Sequence, residues 1–312
     1  MKVAVTGSTG FIGSHLLPLL SSRGYRCVAL TEPGLRSGGD GVECFPVDVT
    51  SGEGLAEGLK GSDGVVHLAA RNHVLKEPEK DPLSAYRRVN VEGTRNVIRA
   101  AVQAGARWFI HFSSVKATGE GGEAVFDEDS PCKPSTPYGI SKLESEEVVR
   151  CVAEESGIRA LIFRLPMVYG PGNLGNLPRM IRWADNGLPF PLFHPENLRS
   201  MVYVGNVVHA VPHAIRKAPQ GVPTYILKDV EDYSTRIVYT AICDALGKKP
   251  RYLTVPSPAV RLGGLLSEDF RKITGSFRVS SAKFVREINF TPPFSLEEGI
   301  TRTVEWYKRS AR

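Results

Sequence analysis

The N-terminal third of the chain alternates between two hydrophobic periods. Residues 2–6 (KVAVT) form a short apolar run that ends at glycine. Phe11, Ile12, Leu16, Leu19 and Leu20 then recur at helical spacing, and 25–30 (YRCVAL) returns to an extended pattern. Apolar runs at 64–69 (GVVHLA), 108–113 (WFIHFS) and 159–165 (RALIFRL) predict further strands. Helical patterns at 83–104 and 140–156 separate them. Strands alternating with helices, with no tight hairpins, predict an α/β fold with a doubly wound parallel sheet of Rossmann type. Runs without polar alternation suit strands buried on both faces.

After about residue 170 the texture changes, with Pro171, Pro178, Pro189, Pro191 and Pro195 punctuating it. This divides the chain into a dinucleotide-binding region, 1–170, and a smaller substrate-binding region, 171–312, with some segments expected back in the main sheet. A last core-packing helix is expected from Ser295. Ser295 and Glu298 fit a capping box, and Leu296, Ile300, Val304 and Tyr307 fit an apolar stripe.

The first strand runs into Thr6-Gly7-Ser8-Thr9-Gly10-Phe11-Ile12-Gly13. Glycines at 7, 10 and 13 serve three needs. The first permits a sharp turn, the second lets a pyrophosphate approach the backbone, and the third lets the helix pack on the sheet. The helix N-terminus then offers N–H groups and a positive dipole end to phosphate. Placed between strand and helix, the cluster predicts dinucleotide binding. The second strand ends Thr31-Glu32, with Arg36 close by. Glu32 suits the ribose hydroxyl of NAD and Arg36 a 2′-phosphate, so this position leaves NAD and NADP both open. Asp48 is placed to reach the adenine side.

Tyr138 and Lys142 are four residues apart at the start of a predicted helix, so their side chains share one face. Taking a proton from a sugar hydroxyl calls for a strong base such as tyrosinate. Bringing a phenol from a pKa of ~10 to ~7 requires about 4 kcal/mol. A lysine cation at ~5 Å supplies roughly 3 kcal/mol at an effective dielectric of ~20, and the positive ring of an oxidised nicotinamide can supply the rest. Upstream, Ser113-Ser114 end a predicted buried strand. Ligands bind at such strand ends, where Ser114 can donate to a substrate oxygen. Arg71 and His73 follow the preceding predicted strand and are further candidates for substrate contact.

These stretches resemble the extended short-chain dehydrogenase/reductase family, and within it the nucleotide-sugar epimerase and dehydratase group. The matching segments are TGSTGFIG at 6–13, HLAA at 67–70, VNVEGT at 89–94, FSS at 112–114, YGISK at 138–142, RLPMVYGPG at 164–172 and RSMVYVGN at 199–206. The resemblance implies that Gly7, Gly10, Phe11, Ile12 and Gly13 hold the pyrophosphate. It places Asp48 and Val49 near adenine, and Ala69, Ala70 and Asn90 along the cofactor cleft. Leu165, Pro166 and Val168 fall near the nicotinamide. Ser114, Tyr138 and Lys142 match the catalytic trio, and Asn176 and Arg199 match contacts to the sugar-nucleotide phosphates. It also implies a homodimer built on the helices at 83–104 and 139–156.

Two departures narrow the chemistry. Dehydratases of the family carry an Asp-Glu pair after the catalytic hydroxyl residue; here Val115-Lys116 follow Ser114, which argues against dehydration. Met167 stands where many members have asparagine, so one expected substrate contact is missing. The expected activity is an NAD-dependent 4-epimerase of a UDP-sugar, passing through a 4-keto intermediate. The alternative is an NAD(P)H-dependent reductase of a nucleotide-linked 4-keto sugar.

Bulk properties fit an enzyme of this kind. The formal charge is +6, with 42% hydrophobic and 23% charged residues. The basic residues form no long run and match no nucleic-acid motif, so the charge suits an anionic small substrate better than nucleic acid. No segment has the length of a membrane span. No secretory leader is expected at the N-terminus, which turns into strand and glycine turn at once. The five cysteines show no CxxC spacing, and the histidines no metal-ligand spacing. A cytoplasmic enzyme without metal is expected. His111, inside a strand, reads as a core histidine, and Trp183 and Trp306 as packing residues.

Overall fold

The computed structural model describes residues 1–35, 42–72, 79–122, 124–192, 197–217, 220–254 and 275–310. Seven strands form one parallel sheet: β1 (Lys2–Thr6), β2 (Arg26–Thr31), β3 (Glu43–Pro46), β4 (Gly64–His67), β5 (Trp108–Ser114), β6 (Arg159–Leu165) and β7 (Thr224–Ile226). Their spatial order is β7-β6-β5-β4-β1-β2-β3, every neighbouring pair running parallel. This is the expected doubly wound sheet.

Side-chain alternation builds a core on each face. Val3, Val5, Ala29, Val66, Ile110 and Phe163 point to one side, against the helix Phe11–Ser22 (α1) and the later helix Val204–Lys217. Ala4, Val28, Leu30, Val65, Phe109 and Ile162 point to the other. There they meet α3 (Gly93–Gln103), which the short helix α2 (Pro82–Arg87) precedes in the chain, and the long helix α4 (Pro137–Ser156).

Two strands escaped the hydrophobic pattern. β3 lies at the sheet edge, is mostly exposed and ends in Pro46, which an edge strand tolerates. β7 has three residues and arrives from the region after 170. The helix expected over 83–104 is also not uniform, because a π-helical turn occupies Arg88–Glu92.

Beyond residue 166, Met167–Tyr169, Arg199–Tyr203 and Asp232–Tyr233 make a small second sheet. It shares a core with the helices Asn176–Asp185, Thr235–Leu246 and Leu296–Ser310, centred on Tyr169, Ile181, Tyr203, Tyr239 and Ile300. The capping box forms as expected. Ser295 N–H donates to Glu298 Oε2 (2.9 Å), and Glu298 N–H donates to Ser295 Oγ (3.3 Å). Trp183 does not pack as expected. The residue is 41% exposed, and its indole N–H donates to the Pro189 carbonyl at the protein surface. Trp306 is half-buried. Among the described residues no helix is long and apolar enough to cross a membrane.

Candidate active site

A cavity of about 670 Å³ opens at the C-terminal ends of β1, β2, β4, β5 and β6, within the range of roughly 300–1,000 Å³ usual for small-molecule sites. The glycine turn forms one end, and the three glycines do different things. Gly7 has a left-handed backbone (φ +62°), and a Cβ there would stand 2.6 Å from the Ala69 amide nitrogen. A Cβ on Gly13 would stand 2.4 Å from the Gly7 carbonyl oxygen and 2.6 Å from Ser8 Cα. Protein packing alone therefore requires glycine at 7 and 13. Gly10 is exposed at φ −74°, and its Cβ would meet only the Gly7 oxygen, at 3.1 Å. Gly10 lines the cavity, and no other protein atom stands within 4 Å of the space a side chain would take there.

The first intrahelical bond of α1 runs from Ser14 N–H to the Gly10 carbonyl. The N–H groups of Phe11, Ile12 and Gly13 precede it, at the positive end of the helix. This is an anion site of the right kind for a pyrophosphate.

Thr31, Glu32, Asp48 and Val49 line the same cavity where β2 and β3 end. Thr31 is buried and donates its hydroxyl to the Leu35 carbonyl (3.0 Å). Asp48 Oδ1 accepts from the Thr50 hydroxyl (2.7 Å) and the Thr50 N–H (2.8 Å), which hold its carboxyl below the usual carboxylate range. Arg36 and His73 lie outside the described residues.

Ala69 and Ala70 line the middle of the cavity, on a loop held from below by a directional chain. Thr6 Oγ1 accepts from the N–H groups of Leu68 and Ala69 (3.2 Å each) and donates to His67 Nδ1 (2.7 Å). That leaves the proton of His67 on Nε2, which donates to Thr94 Oγ1 (3.0 Å), and Thr94 donates to the Asn90 carbonyl (2.6 Å). Burial, with Lys142 nearby, pushes the His67 pKa down to about 3, consistent with a neutral ring.

Asn90 does not line the cavity, contrary to expectation. Its side chain accepts from Arg71 N–H (2.8 Å) and donates to the Arg71 carbonyl (3.1 Å) and Ser141 Oγ (3.0 Å). Asn90 lies in the π turn and fastens the Ala69–Arg71 loop to α4. The Arg71 guanidinium lies 5.5 Å from the Tyr86 ring centre, outside the cavity lining. Asn72, next to it, lines the cavity in its place.

Ser114, Tyr138 and Lys142 meet at the other end, beside Leu165, Pro166 and Val168. Thr136 caps α4 by accepting from Gly139 N–H (3.2 Å), which sets Tyr138 in the first turn. A Cβ on Gly139 would strike the Lys116 carbonyl at 2.5 Å, so this glycine lets the helix lie against the turn after Ser114. The Ser114 hydroxyl hydrogen-bonds the Tyr138 phenol. Lys142 Nζ donates to the Phe112 carbonyl (3.0 Å).

Burial pushes Tyr138 up to about 12, against the Ser114 hydrogen bond, and brings Lys142 down to about 8, against the pull of Glu146. At neutral pH the phenol is protonated, and a further positive charge is needed to acidify it.

Asn176 and Arg199, the expected phosphate contacts, are not brought to this cavity. Asn176 is exposed on the first turn of its helix. Arg199 is half-buried at the start of its strand, paired with Tyr233. Asn173 lines the cavity instead, three residues earlier, its amide donating to the Val168 carbonyl (3.0 Å). Met167 is 48% exposed and outside the lining. Val115 is buried, and Lys116 Nζ pairs with Glu120 (2.8 Å), so the turn after Ser114 presents no acid. Among the described residues no group of three or more His, Cys, Asp or Glu side chains is placed to hold a metal ion.

The model of the NAD dependent epimerase/dehydratase family matches residues 3–227, a span that takes in both ends of the cavity. The chain belongs to that family. It is 31% identical over 310 residues to a UDP-glucose 4-epimerase from Vibrio cholerae, covering 97% of this chain and 94% of that one. It is 29% identical to a ceramide reductase from Caulobacter vibrioides, covering 98% and 94%. Among solved structures, MoeE5 in complex with UDP-glucuronic acid and NAD superposes with a TM-score of 0.82 at 27% identity, covering 99% of this chain and all of that one. The chain is thus an enzyme of the nucleotide-sugar epimerase and dehydratase type.

Proposed function

We propose that this chain is an NAD-dependent 4-epimerase of a UDP-sugar, UDP-glucose/galactose or an N-acetyl derivative. The observation that carries the proposal is one cavity with the glycine turn at one end and Ser114, Tyr138 and Lys142 at the other, next to a turn without acid. NAD fits on chemical grounds, since no protein atom but the Gly7 oxygen stands near a Gly10 side-chain position and the N-terminus of α1 lines the cavity. When bound, oxidised NAD would supply the hydride acceptor and a positively charged ring.

Each residue then has a role. Tyr138 takes the proton of the sugar O4 hydroxyl and later returns it. Ionising it at neutral pH from about 12 costs about 7 kcal/mol, at ~1.36 per unit. Lys142 holds positive charge one helical turn away and shares that cost with the cofactor. Ser114 hydrogen-bonds the phenol and presents a hydroxyl to the sugar oxygen. With Val115 and Lys116 in place of an acid-base pair, nothing in that turn can expel a neighbouring hydroxyl as water. The reaction therefore stops at the ketone and reverses onto the other face.

A reductase of a nucleotide-linked 4-keto sugar, with exchangeable NAD(P)H, uses the same trio. Met167 in place of the expected asparagine and the likeness to the Caulobacter reductase favour that second reading. Release of stoichiometric NAD on denaturation, with conversion of UDP-glucose or UDP-N-acetylglucosamine without added cofactor, is the epimerase result. An empty site with NADPH-dependent reduction of a 4-keto sugar overturns it.

We further propose residues 171–312 as the region that selects the sugar nucleotide. We propose a homodimer through α3 and α4, which pack side by side; light scattering at twice the 34.1 kDa chain mass is the check. The five free thiols suit the cytoplasm.

A further inference from the structure

One fully buried carboxylate lies behind the catalytic pair. Glu146 follows Tyr138 and Lys142 at the same four-residue spacing on α4 and has no exposed surface. Its Oε1 accepts from Ser113 Oγ (2.6 Å) and Arg164 Nε (2.9 Å). Its Oε2 accepts from Arg164 Nη2 (2.7 Å) and, more loosely, Arg150 Nη2 (3.4 Å). Arg164 is itself 3% exposed and also donates to Thr118 Oγ1 and Cys132 Sγ.

The register ties this pair to the site. Ser113 pairs with Arg164 across β5 and β6, and the next pair is Ser114 with Leu165, both cavity-lining. Glu146 thus holds the strand residue next to Ser114 and lies one helical turn from Lys142.

The surroundings of Lys142 leave Glu146 the distinctive role. His67 from β4 and His111 from β5 are buried, and both are held neutral. His111 Nε2–H meets Ser145 Oγ, because the Ser145 hydroxyl is committed to the Lys142 carbonyl. Lys116, in the turn packed on α4, is paired with Glu120, and Arg87 of α2 pairs with Glu144 on the outer face of α4. Glu146 is the acid whose charge opposes the effect of burial on Lys142.

We propose that Glu146, clamped by Arg164, is a positioning residue that keeps the Lys142 amine charged and in place at the cavity. The assignment rests on the reading of Tyr138 and Lys142 as the catalytic pair. A buried ion pair is often replaceable by apolar side chains without loss of stability, so stability alone does not test it.

The test uses the full-length, cofactor-free protein. Competitive acylation by acetic anhydride, read by peptide mass spectrometry across pH, reports the ionisation of Lys142 without substrate or cofactor. In Glu146→Gln the negative charge is lost and Arg164 is left unmatched, and both changes favour the neutral amine. Labelling of Lys142 at a fixed acidic pH should rise about tenfold for each unit its pKa falls, and the alkaline limb of turnover should move to lower pH. The double variant Glu146→Met, Arg164→Leu removes the pair together and should recover thermal stability while the labelling stays raised. It carries the test alone if Glu146→Gln does not fold. Wild-type labelling in the folded variants, or its return to wild type as stability returns, overturns the proposal. That outcome leaves the catalytic pair untouched, whereas full turnover by Tyr138→Phe would remove the pair itself.

Discussion

Two alanine substitutions in the glycine turn, at Gly13 and at Gly10, should fail in opposite ways. At Gly13 the new methyl meets two backbone groups, 2.4 and 2.6 Å away, and neither can turn aside. Overpacking of this kind costs ~1–3 kcal/mol, and rigid backbone on two sides puts it at the upper end. Alanine's better helix propensity returns ~1 kcal/mol. The net loss is about 2 kcal/mol. With unfolding entropy near ~2.1 cal/mol/K per residue, that lowers Tm by about 3 °C in a chain of this length. At Gly10 the contact is a single oxygen at 3.1 Å on an exposed residue. Exchanging glycine for alanine at a helix N-cap costs ~0.5 kcal/mol, under about 1 °C. The methyl then stands in the path of a pyrophosphate, and NAD affinity should fall at least about tenfold, ~1.4 kcal/mol. Scanning calorimetry of the cofactor-free variants and calorimetric titration with NAD give both numbers. A Gly10→Ala protein that binds NAD as tightly as the parent refutes the placement of the pyrophosphate. One that unfolds as early as Gly13→Ala refutes the division of labour among the glycines.

Other substitutions probe the far end of the cavity and the scaffold. Tyr138→Phe should lower kcat by orders of magnitude while NAD binding, measured by titration, stays within a few-fold of wild type. Lys142 gives up its proton at about 8 in the folded protein but at ~10.4 in the unfolded chain. Between those values the unfolded state binds more protons, so this group's contribution to stability rises with pH, by up to about 3 kcal/mol. Urea unfolding of Lys142→Met against wild type should show the variant's advantage shrinking from pH 8 to about 10.5; a constant difference refutes the assigned ionisation. Asn90→Ala should weaken NAD binding through the Ala69–Arg71 loop, although Asn90 is outside the cavity, and amide exchange at Arg71 should speed up. Ser295→Ala should cost ~1 kcal/mol in denaturant unfolding without altering turnover, since it removes only a helix cap.

What the amino-acid pattern revealed, and what it hid, follows from how local each feature is. β1, α1 and the glycine turn are specified by consecutive residues, as are the Tyr138–Lys142 spacing and the Ser295–Glu298 box. All were legible. β3 carries Glu43 and Pro46 and lies mostly exposed on an edge, so it has no apolar run to read. β7 is three residues long and gains its place from β6, not from its own sequence. The π turn at Arg88–Glu92 depends on Asn90 finding Arg71 and Ser141, partners 19 and 51 residues away. Asn173 and Asn176 are equally plausible on paper, and only the start of their helix decides which reaches the cavity. Spacing shows a lysine near Tyr138 but not the burial of the phenol, which pushes it up to about 12 before any cofactor charge is added. Of the neighbours that matter to Lys142, Glu146 follows the same spacing, yet its engagement with Arg164 needs the register of β5 and β6.

The small strand Thr224–Ile226 has a consequence for how the chain can be divided. It completes the edge of the sheet that carries the glycine turn, yet it comes from beyond residue 170. A fragment stopped at residue 170 would leave Arg159–Leu165 as a bare border, with open N–H and C=O groups and apolar side chains on both faces. Such a border recruits any extended chain it meets. The sheet that carries the glycine turn is therefore finished only by the later part of the chain, and the two are better expressed and engineered as one piece.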